Sequence, residues 1–540
     1  MNVLKNKKFR YGSVSVALTV VIIVAVILLN AIVTALVHDN ELYLDMTAEN
    51  VFTLSDEAKL NLDPVKTNNR RVKISFCAAE DEIEADPYTY YAYHTAKEIR
   101  EYLGDECVEL EFVDIIKNPT KLAPYFTEKE SISPNAYAIV LAGQVKDENG
   151  NWKDAYSRVY SATALFLGDS TGTNVIGYNG EQRLVSGILT VTQTEQPVVC
   201  FTTNHGETDP KNTALELLMK DCGFAVQTID LWNDPIPSDC SLIVINNPTS
   251  DFKAVSEYSN VSEIEKLERF LDEKHALMVF LDSETGSKYG VNGKLPNLED
   301  FLAQWGIGLA RTTDDSGVKS TGYMIEESAE NRLSSVVNVG TYIKGGLGRS
   351  ISSKLLAMPV APTVLFPVPG ALVNTYRDKD VSTDSKSGVE YTVYKSDTNM
   401  TGRRCYDVFT SSADAVAMAN GKAAMTGPFS YMKITQETHE DHNSASGEAY
   451  SYVMACSSTQ FVADGALVGQ YGNHAVLTRA CHEMGVSSIS VSIDAKYFTD
   501  TTIDSITEGA QDTYTVVFTV IPALAIFVTG IVIMVRRRYR

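Results

Sequence analysis

The sequence predicts an α/β body of two units set between two membrane-spanning helices. Three observations lead there. An apolar run lies near each end of the chain, at Val14–Val37 and Val516–Val535. Between them, short apolar strands alternate with amphipathic helical stretches. The acidic residues are also confined to the middle. Residues 1–37 and 514–540 contain no Asp or Glu, and they hold eight of the 46 Lys and Arg residues. That leaves 38 basic residues against 68 acidic ones, a net of −30 for the rest of the chain. Such a charge repels polyanions, so nucleic acid is not an expected partner.

The first apolar run is interrupted only by Ser15, Thr19, Asn30 and Thr34, and the second only mildly, by Pro522 and Gly530. Each is long enough to cross a hydrocarbon layer of roughly 30 Å as a helix. The first run exceeds a signal-peptide core and no small-residue cleavage site follows it, so an uncleaved span is expected. Lys5, Lys7, Lys8 and Arg10 precede the first run, and Arg536–Arg538 and Arg540 follow the second. Both termini are then expected in the cytoplasm of a bacterial cell, with a two-pass anchor in the cell membrane and a large extracytoplasmic body. The expected organisation is a cytoplasmic segment 1–12, a span 13–37, a first domain 38–195, a second domain 196–512, a span 514–535 and an Arg-rich tail 536–540.

In the first domain, Ser55 before Asp56-Glu57-Ala58 reads as a helix N-cap. A strand at Val72–Phe76, a helix at Tyr91–Leu103, a strand at Val108–Ile115 and a short helix near Pro119–Phe126 follow. Strands at Ala136–Leu141 and Tyr156–Tyr160, then a helix at Glu181–Thr192, complete the unit. The order βαβαββα matches a thioredoxin-like layout. The redox chemistry of that layout is not expected, because Ala78–Pro87 carries no cysteine pair.

In the second domain, Val198–Thr202, Ala225–Ile229, Leu242–Asn246 and Ala276–Leu281 are short, apolar strands. Helices at Thr213–Cys222, Ser262–Glu273 and Leu298–Trp305 accompany them. Apolar strands alternating with amphipathic helices predict a Rossmann/flavodoxin-like parallel sheet covered on both faces. Residues 346–425 mix short strands with Ser-, Thr- and Asp-rich loops, notably Val381–Gly402, and read as an irregular insertion that adds strands to the second sheet rather than forming an independent domain. Strands near Phe429–Thr435 and Tyr450–Ala455, a helix at Asn473–Met484 and a strand at Ser487–Val491 close the domain. The eight cysteines show no zinc-ligand spacing, and Cys77, Cys200 and Cys456 lie in apolar strand-like runs. One or two disulfides among Cys107, Cys222, Cys240, Cys405 and Cys481 are compatible with their positions.

Ligands of open α/β sheets bind beyond the carboxyl ends of the strands. His205, Gly206 and Glu207 follow the first parallel strand, Asn246 ends the third, Asp282 follows the fourth, and Ser457 and Ser458 follow Tyr450–Ala455. These seven residues are the candidate protein- or ligand-contact site, with His205, Glu207, Asp282 and Ser458 expected at one edge. The competing and favoured reading of His205-Gly206-Glu207 is a hydrogen-bonded turn. His439-Glu440-Asp441-His442 has metal-ligand residue types but reads as a polar loop tip. Gly345-Gly346-Leu347-Gly348-Arg349-Ser350 lacks the phosphate-loop frame, as does Gly286-Ser287-Lys288, and no GxSxG elbow occurs. No catalytic residue, metal or cofactor is predicted.

Taken in order, these pieces resemble the GldG-like family, auxiliary components of bacterial ABC transport systems first associated with gliding motility. Leu44-Asp45-Met46-Thr47 with Phe52-Thr53-Leu54-Ser55 is similar to that family's entry motif. Thr203-Asn204-His205-Gly206-Glu207 resembles its strand-end Gly-His-Gly-Glu, with Asn204 in place of the usual Gly. Ile236-Pro237, Leu242–Pro248, Leu277–Asp282 and Leu295-Pro296-Asn297-Leu298 follow the family pattern. Ser457-Ser458-Thr459-Gln460-Phe461 with Tyr471-Gly472-Asn473 looks like its second strand-end motif, with Gln460 where Asp is common. The resemblance implies a separate ATPase and a multi-span permease as partners, and no enzymatic activity in this chain. It also implies that the middle domain is similar to a Rossmann-like module that serves protein contacts in ciliary transport proteins. An extracytoplasmic hydrolase acting through His205 and Glu207, and a membrane-tethered solute-binding protein, are the alternatives.

Overall fold

In a computed structural model of the chain, the described residues are 20–28 without 22, 50–498 apart from short stretches, and 521–539. Those stretches are 127–132, 147–149, 169–173, 194–195, 256–261, 287–289, 292, 314–318, 321–322, 358–360, 397–401, 420–421, 443–446, 468–470, 486–492 and 494. The expected strand at Ser487–Val491 therefore lies outside the described residues. Residues up to Lys496 form one compact unit, and Tyr497–Arg540 form a second.

The expectation of two membrane spans is corrected by the structure. Among the described residues, no helix is long and apolar enough to cross a membrane. At the carboxyl end, the helix covers Ile521–Arg538 and meets Arg536, Arg537 and Arg538 within its last turn. Within the described residues its apolar part, Ile521 to Val535, rises about 22 Å, against roughly 30 Å for a full crossing. Residues 514–520 lie outside the described residues. Of the segment 13–37, only Val20, Val21 and Ile23–Leu28 are described, all helical. The two-pass anchor, and with it the expected cell-membrane location and extracytoplasmic placement of the body, is therefore not supported. The chain is a mixed α/β protein with several sheets.

The first layer is built from α1 (Asp56–Thr67), β1 (Arg71–Phe76), α2 (Pro87–Leu103), β2 (Val108–Phe112), β3 (Ala138–Lys146), β4 (Trp152–Ser161) and α3 (Gly180–Val191). Its sheet runs β2-β1-β3-β4, with β1 parallel to β2 and the other pairs antiparallel. Ser55 caps α1 by accepting from the Ala58 amide at 3.1 Å, and Asp86 caps α2. The Ser55 amide and hydroxyl both donate to Glu181 Oε1 at 2.7 Å. Lys496 pairs with Glu181 Oε2 at 2.7 Å and donates to the carbonyls of Asn50, Val51 and Thr53. One nearly buried carboxylate thus ties the start of the layer, α3 and the end of the compact unit together.

Among the described residues, the larger sheet has twelve strands. Its parallel half comprises β5 (Val198–Thr202), β6 (Ala225–Ile229), β7 (Cys240–Asn246), β8 (Ala276–Phe280) and, much later in the chain, a strand at Glu448–Cys456. Their helices are α4 (Ala214–Asp221), α5 (Glu263–Asp272) and α6 (Pro296–Gln304). The stretch 346–425 is more regular than its composition suggests. It holds α7 (Gly346–Ala357), β9 (Asp378–Thr383), β10 (Glu390–Lys395) and β11 (Arg404–Thr410). Next come β12 (Ser430–Glu440), β13 (the Glu448–Cys456 strand) and α8 (Asn473–Glu483). The spatial order is β9-β10-β11-β12-β13-β8-β7-β5-β6. Neighbours from β13 to β6 are parallel, and those from β9 to β13 are antiparallel.

Every residue of β5 and β8 is buried, as strands covered on both faces require. One face packs on α4, α7 and α8 through Leu215, Leu218, Ile351 and Leu477. The other packs on α5 and α6 through Ile264, Leu267, Phe270, Leu298 and Phe301. Burying such side chains contributes roughly 1.5–3 kcal/mol each before entropy is counted. All eight cysteines are buried and free. The disulfides that sequence position allowed are absent among them, although Cys222 beside α4 and Cys481 on α8 form a thiol–thiol hydrogen bond.

The first layer joins the larger sheet through polar contacts. Arg158 of β4 and Arg183 of α3 reach Asp221 at 3.6 and 3.5 Å, and Ser186 donates to the Asp221 carbonyl. Within the layer, α3 closes on β3 so tightly that a Cβ on Gly143 would lie 1.7 Å from the Val191 carbonyl oxygen. Gly143→Ala should therefore force backbone apart and cost about 2–3 kcal/mol. Gly465→Ala, where a Cβ meets nothing within 4 Å, should stay within about 0.5 kcal/mol of the parent. Urea unfolding of both variants checks the contrast.

Candidate functional site

The chain order across the parallel strands is β6-β5-β7-β8-β13, so it reverses between β5 and β7. The loop after β5 leads to α4 on one face, and the loop after β7 leads to α5 on the other. Two loops diverging from adjacent strand ends leave a crevice there. The seven candidate residues distribute around this edge into three separate environments.

His205 does not face the crevice. Its ring is buried, stacked on Phe252 with centroids 3.9 Å apart and planes at 13°. Nδ1 lies 3.2 Å from Glu207 Oε1, and Nε2 lies 3.1 Å from Glu263 Oε2, in the first turn of α5. The His205 amide donates to Glu207 Oε2 at 2.7 Å, and its carbonyl accepts from the Thr249 and Ser250 amides. Gly206 turns the loop at φ +79°, where a Cβ would lie 2.0 Å from the Thr249 hydroxyl oxygen. Glu263 was not among the sequence candidates. Its place after Ser262 marks it as a first-turn helix acid, with no sign of a partner 58 residues earlier.

Burial pulls the His205 pKa down, but hydrogen bonds and charge from Glu207 and Glu263 outweigh it and raise the pKa to about 9. Burial acts to raise the Glu207 pKa, and the bonds from His205 overcome that and lower it. The ring is therefore an imidazolium at neutral pH, with both nitrogens engaged.

Asp282 and the two serines turn elsewhere. Asp282 accepts from the Thr459 hydroxyl at 2.8 Å and from the Glu284 amide at 2.8 Å. The Ser458 hydroxyl donates to the Pro367 carbonyl at 2.5 Å. Ser457 is fully buried, and its backbone bonds to Tyr431 and Gly370. The expected convergence of His205, Glu207, Asp282 and Ser458 is thus replaced by two separate networks. The physical reason is that a strand end delivers backbone, while each side chain follows the nearest charge or donor.

Asn246 alone of the seven candidates lines the crevice, which has a volume of about 430 Å³. Thr208, Asp209, Asn247, Gln460 and Asp464 line it with Asn246, and Leu215 and Val462 give it apolar wall. The Thr208 amide donates to the Asn246 carbonyl at 2.9 Å, pinning the two loops at the crevice floor. Asp464 accepts from the Ala214 amide at 2.7 Å and so occupies the amino end of α4. Thr208 and Asp464 were missed by sequence reasoning, and Thr459 entered only as part of the second strand-end motif, because these loops meet only in the fold.

His439 lies in β12 with its Nε2 at 2.7 Å from the Ser451 hydroxyl, while Asp441 pairs with Lys274 at 3.1 Å. Among the described residues, no group of three or more His, Cys, Asp or Glu side chains is placed to hold a metal ion.

No family model matches the chain, and no curated protein matches it. Among solved structures, it is similar to a cytoplasmic protein from Salmonella typhimurium at 10% identity and a TM-score of 0.26. The match covers 53% of this chain and 98% of that one.

The clamp makes stability depend on pH. Because the folded pKa of His205 is raised from 6.5 to about 9, its contribution is complete below pH 6.5 and is lost as pH rises through 9. The linkage is worth roughly 3 kcal/mol. His474 acts oppositely. Burial lowers its pKa to about 4, so folding loses stability as pH falls from 6.5 towards 4, less so because the ring keeps some solvent contact. Chemical denaturation across pH should show this decline from neutral to alkaline pH, and a His205→Gln variant should lack it. At pH 7, His205→Gln should cost about 3–5 kcal/mol, because two buried carboxylates lose their cation. Adding Glu263→Gln should recover part of that loss, and a double-mutant cycle measures the recovery.

Proposed function

We propose that this protein is a non-enzymatic auxiliary component of an ABC transport system of the GldG-like kind, whose α/β body contacts the permease or its cargo. The observation that favours this reading over a hydrolase is that both ring nitrogens of His205 are engaged by carboxylates, Glu207 at 3.2 Å and Glu263 at 3.1 Å. A general base must be neutral and have a free nitrogen within reach of a substrate proton. An imidazolium held by Glu207 on one side and Glu263 on the other meets neither condition, which disfavours a hydrolase acting through this motif. The strand-end sequence Thr203–Glu207 instead fixes a loop beside an open crevice, as a contact surface needs. The ordered similarity of the strand-end motifs to that family supplies the partners: a separate ATPase and a multi-span permease.

The test is affinity purification of the full chain from its native host, followed by identification of the proteins that co-purify. The expected outcome is stoichiometric recovery of an ATPase subunit and a permease, with ATP hydrolysis confined to the ATPase. Saturable ATP binding by this chain alone, or its recovery without either subunit after mild crosslinking, would overturn the reading.

A further inference from the structure

The larger sheet ends on β6, whose lateral edge differs from those of β9, β2 and β4. The Ala225 amide donates to the Pro197 carbonyl, and the Thr203 amide donates to the Ile229 carbonyl. Ala225, Gln227 and Ile229 thus turn their main-chain groups toward β5, in register with Val198, Cys200 and Thr202. Alternation along the ladder then points the N–H and C=O groups of Val226 and Thr228 away from the sheet. Among the described residues, no strand pairs with that side of β6. Gln227 and Thr228 are exposed.

A free strand edge is a template for pairing with another chain, and charged residues ordinarily guard it. The other edges follow that rule. β9 carries Asp378, Lys379 and Asp380, β2 carries Glu109 and Glu111, and β4 carries Lys153, Asp154 and Arg158. β6 reads Ala225-Val226-Gln227-Thr228-Ile229, with no charge, no proline and no register shift against β5. In a chain holding 68 acidic residues, such an edge lets two copies meet without opposing carboxylates. The edge is also complementary to itself. About a twofold axis at Gln227, an antiparallel copy sets Val226 opposite Thr228 and Ala225 opposite Ile229. The outward groups of Val226 and Thr228 then exchange hydrogen bonds in both directions. Their β-branched side chains face each other across the junction, and Gln227 meets its own counterpart amide to amide.

We propose that β6 is an interface between two copies of this chain, paired antiparallel about Gln227 so that the two larger sheets become one. The pairing rests on the strand edge alone and is independent of the transport reading. Analytical ultracentrifugation of the purified full chain should show a dimer that dissociates on dilution. Gln227→Lys and Gln227→Glu each set like charges directly opposite, and each should weaken dimerisation severalfold with the circular dichroism unchanged. Mixing the two variants should restore association, because lysine meets glutamate only if residue 227 faces its own copy. Gln227→Cys should give a disulfide-linked dimer with oxidised glutathione, since opposed residues of a non-hydrogen-bonded pair lie about 4.5 Å apart at Cα. The native cysteines are buried and do not compete, and Lys379→Cys on β9 should give no such dimer. A monomer at every concentration, a dimer indifferent to Gln227→Lys, or no recovery on mixing would overturn the proposal. So would crosslinking of Gln227→Cys in the host to a different protein and not to its own copy, which would assign the edge to a foreign strand.

Discussion

The edge of the larger sheet depends on one buried charge, the His205 imidazolium between Glu207 and Glu263. The loop after β5 and the helix after β7 lie on opposite faces, and nothing in the parallel ladder itself ties them. His205 spans that gap, reaching the first turn of α5 at 3.1 Å while stacking on Phe252. With the loop held there, the Thr208 amide can meet the Asn246 carbonyl, and the crevice acquires a fixed floor. Burying three ionisable groups is costly, and their mutual attraction offsets that only when the geometry is close. What the clamp contributes is specificity of loop placement as much as net stability.

Much of this was legible in the sequence, for a physical reason. Strands such as Ala276–Phe280 are apolar throughout because both faces are covered, and α5 places Ile264, Leu267, Phe270 and Leu271 on one side. Periodicity reports burial, and burial fixes which element packs where. The turn reading of His205-Gly206-Glu207 rested on the same logic, since a Gly between two polar residues suits a left-handed bend. Gly206 sits in that region at φ +79°.

What the sequence concealed was long-range pairing. Glu263 is an ordinary first-turn acid until the fold brings it to His205. Asp282 finds Thr459, 177 residues away, and that distance leaves no local trace. Added strands were expected in the antiparallel half of the sheet, but composition concealed which segments form them. β9 is largely exposed and carries Asp378, Lys379 and Asp380, so it resembles a loop until its register with β10 is seen. Terminal apolarity misled in the opposite direction. Length and hydropathy suggested a span near each end, whereas among the described residues no helix is long and apolar enough to cross a membrane.

The same edge therefore divides into a closed part and an open part, and electrostatics explains the division. In the closed part, two carboxylates share one cation and lie almost wholly out of solvent, so each is held to a single partner geometry. In the open part, Asp209 and Asp464 are exposed and spend only one oxygen each on backbone amides. A carboxylate satisfied by a neutral amide keeps its charge for the solvent side. Two of the chain's acidic residues, Asp209 and Asp464, thus stand exposed at the crevice.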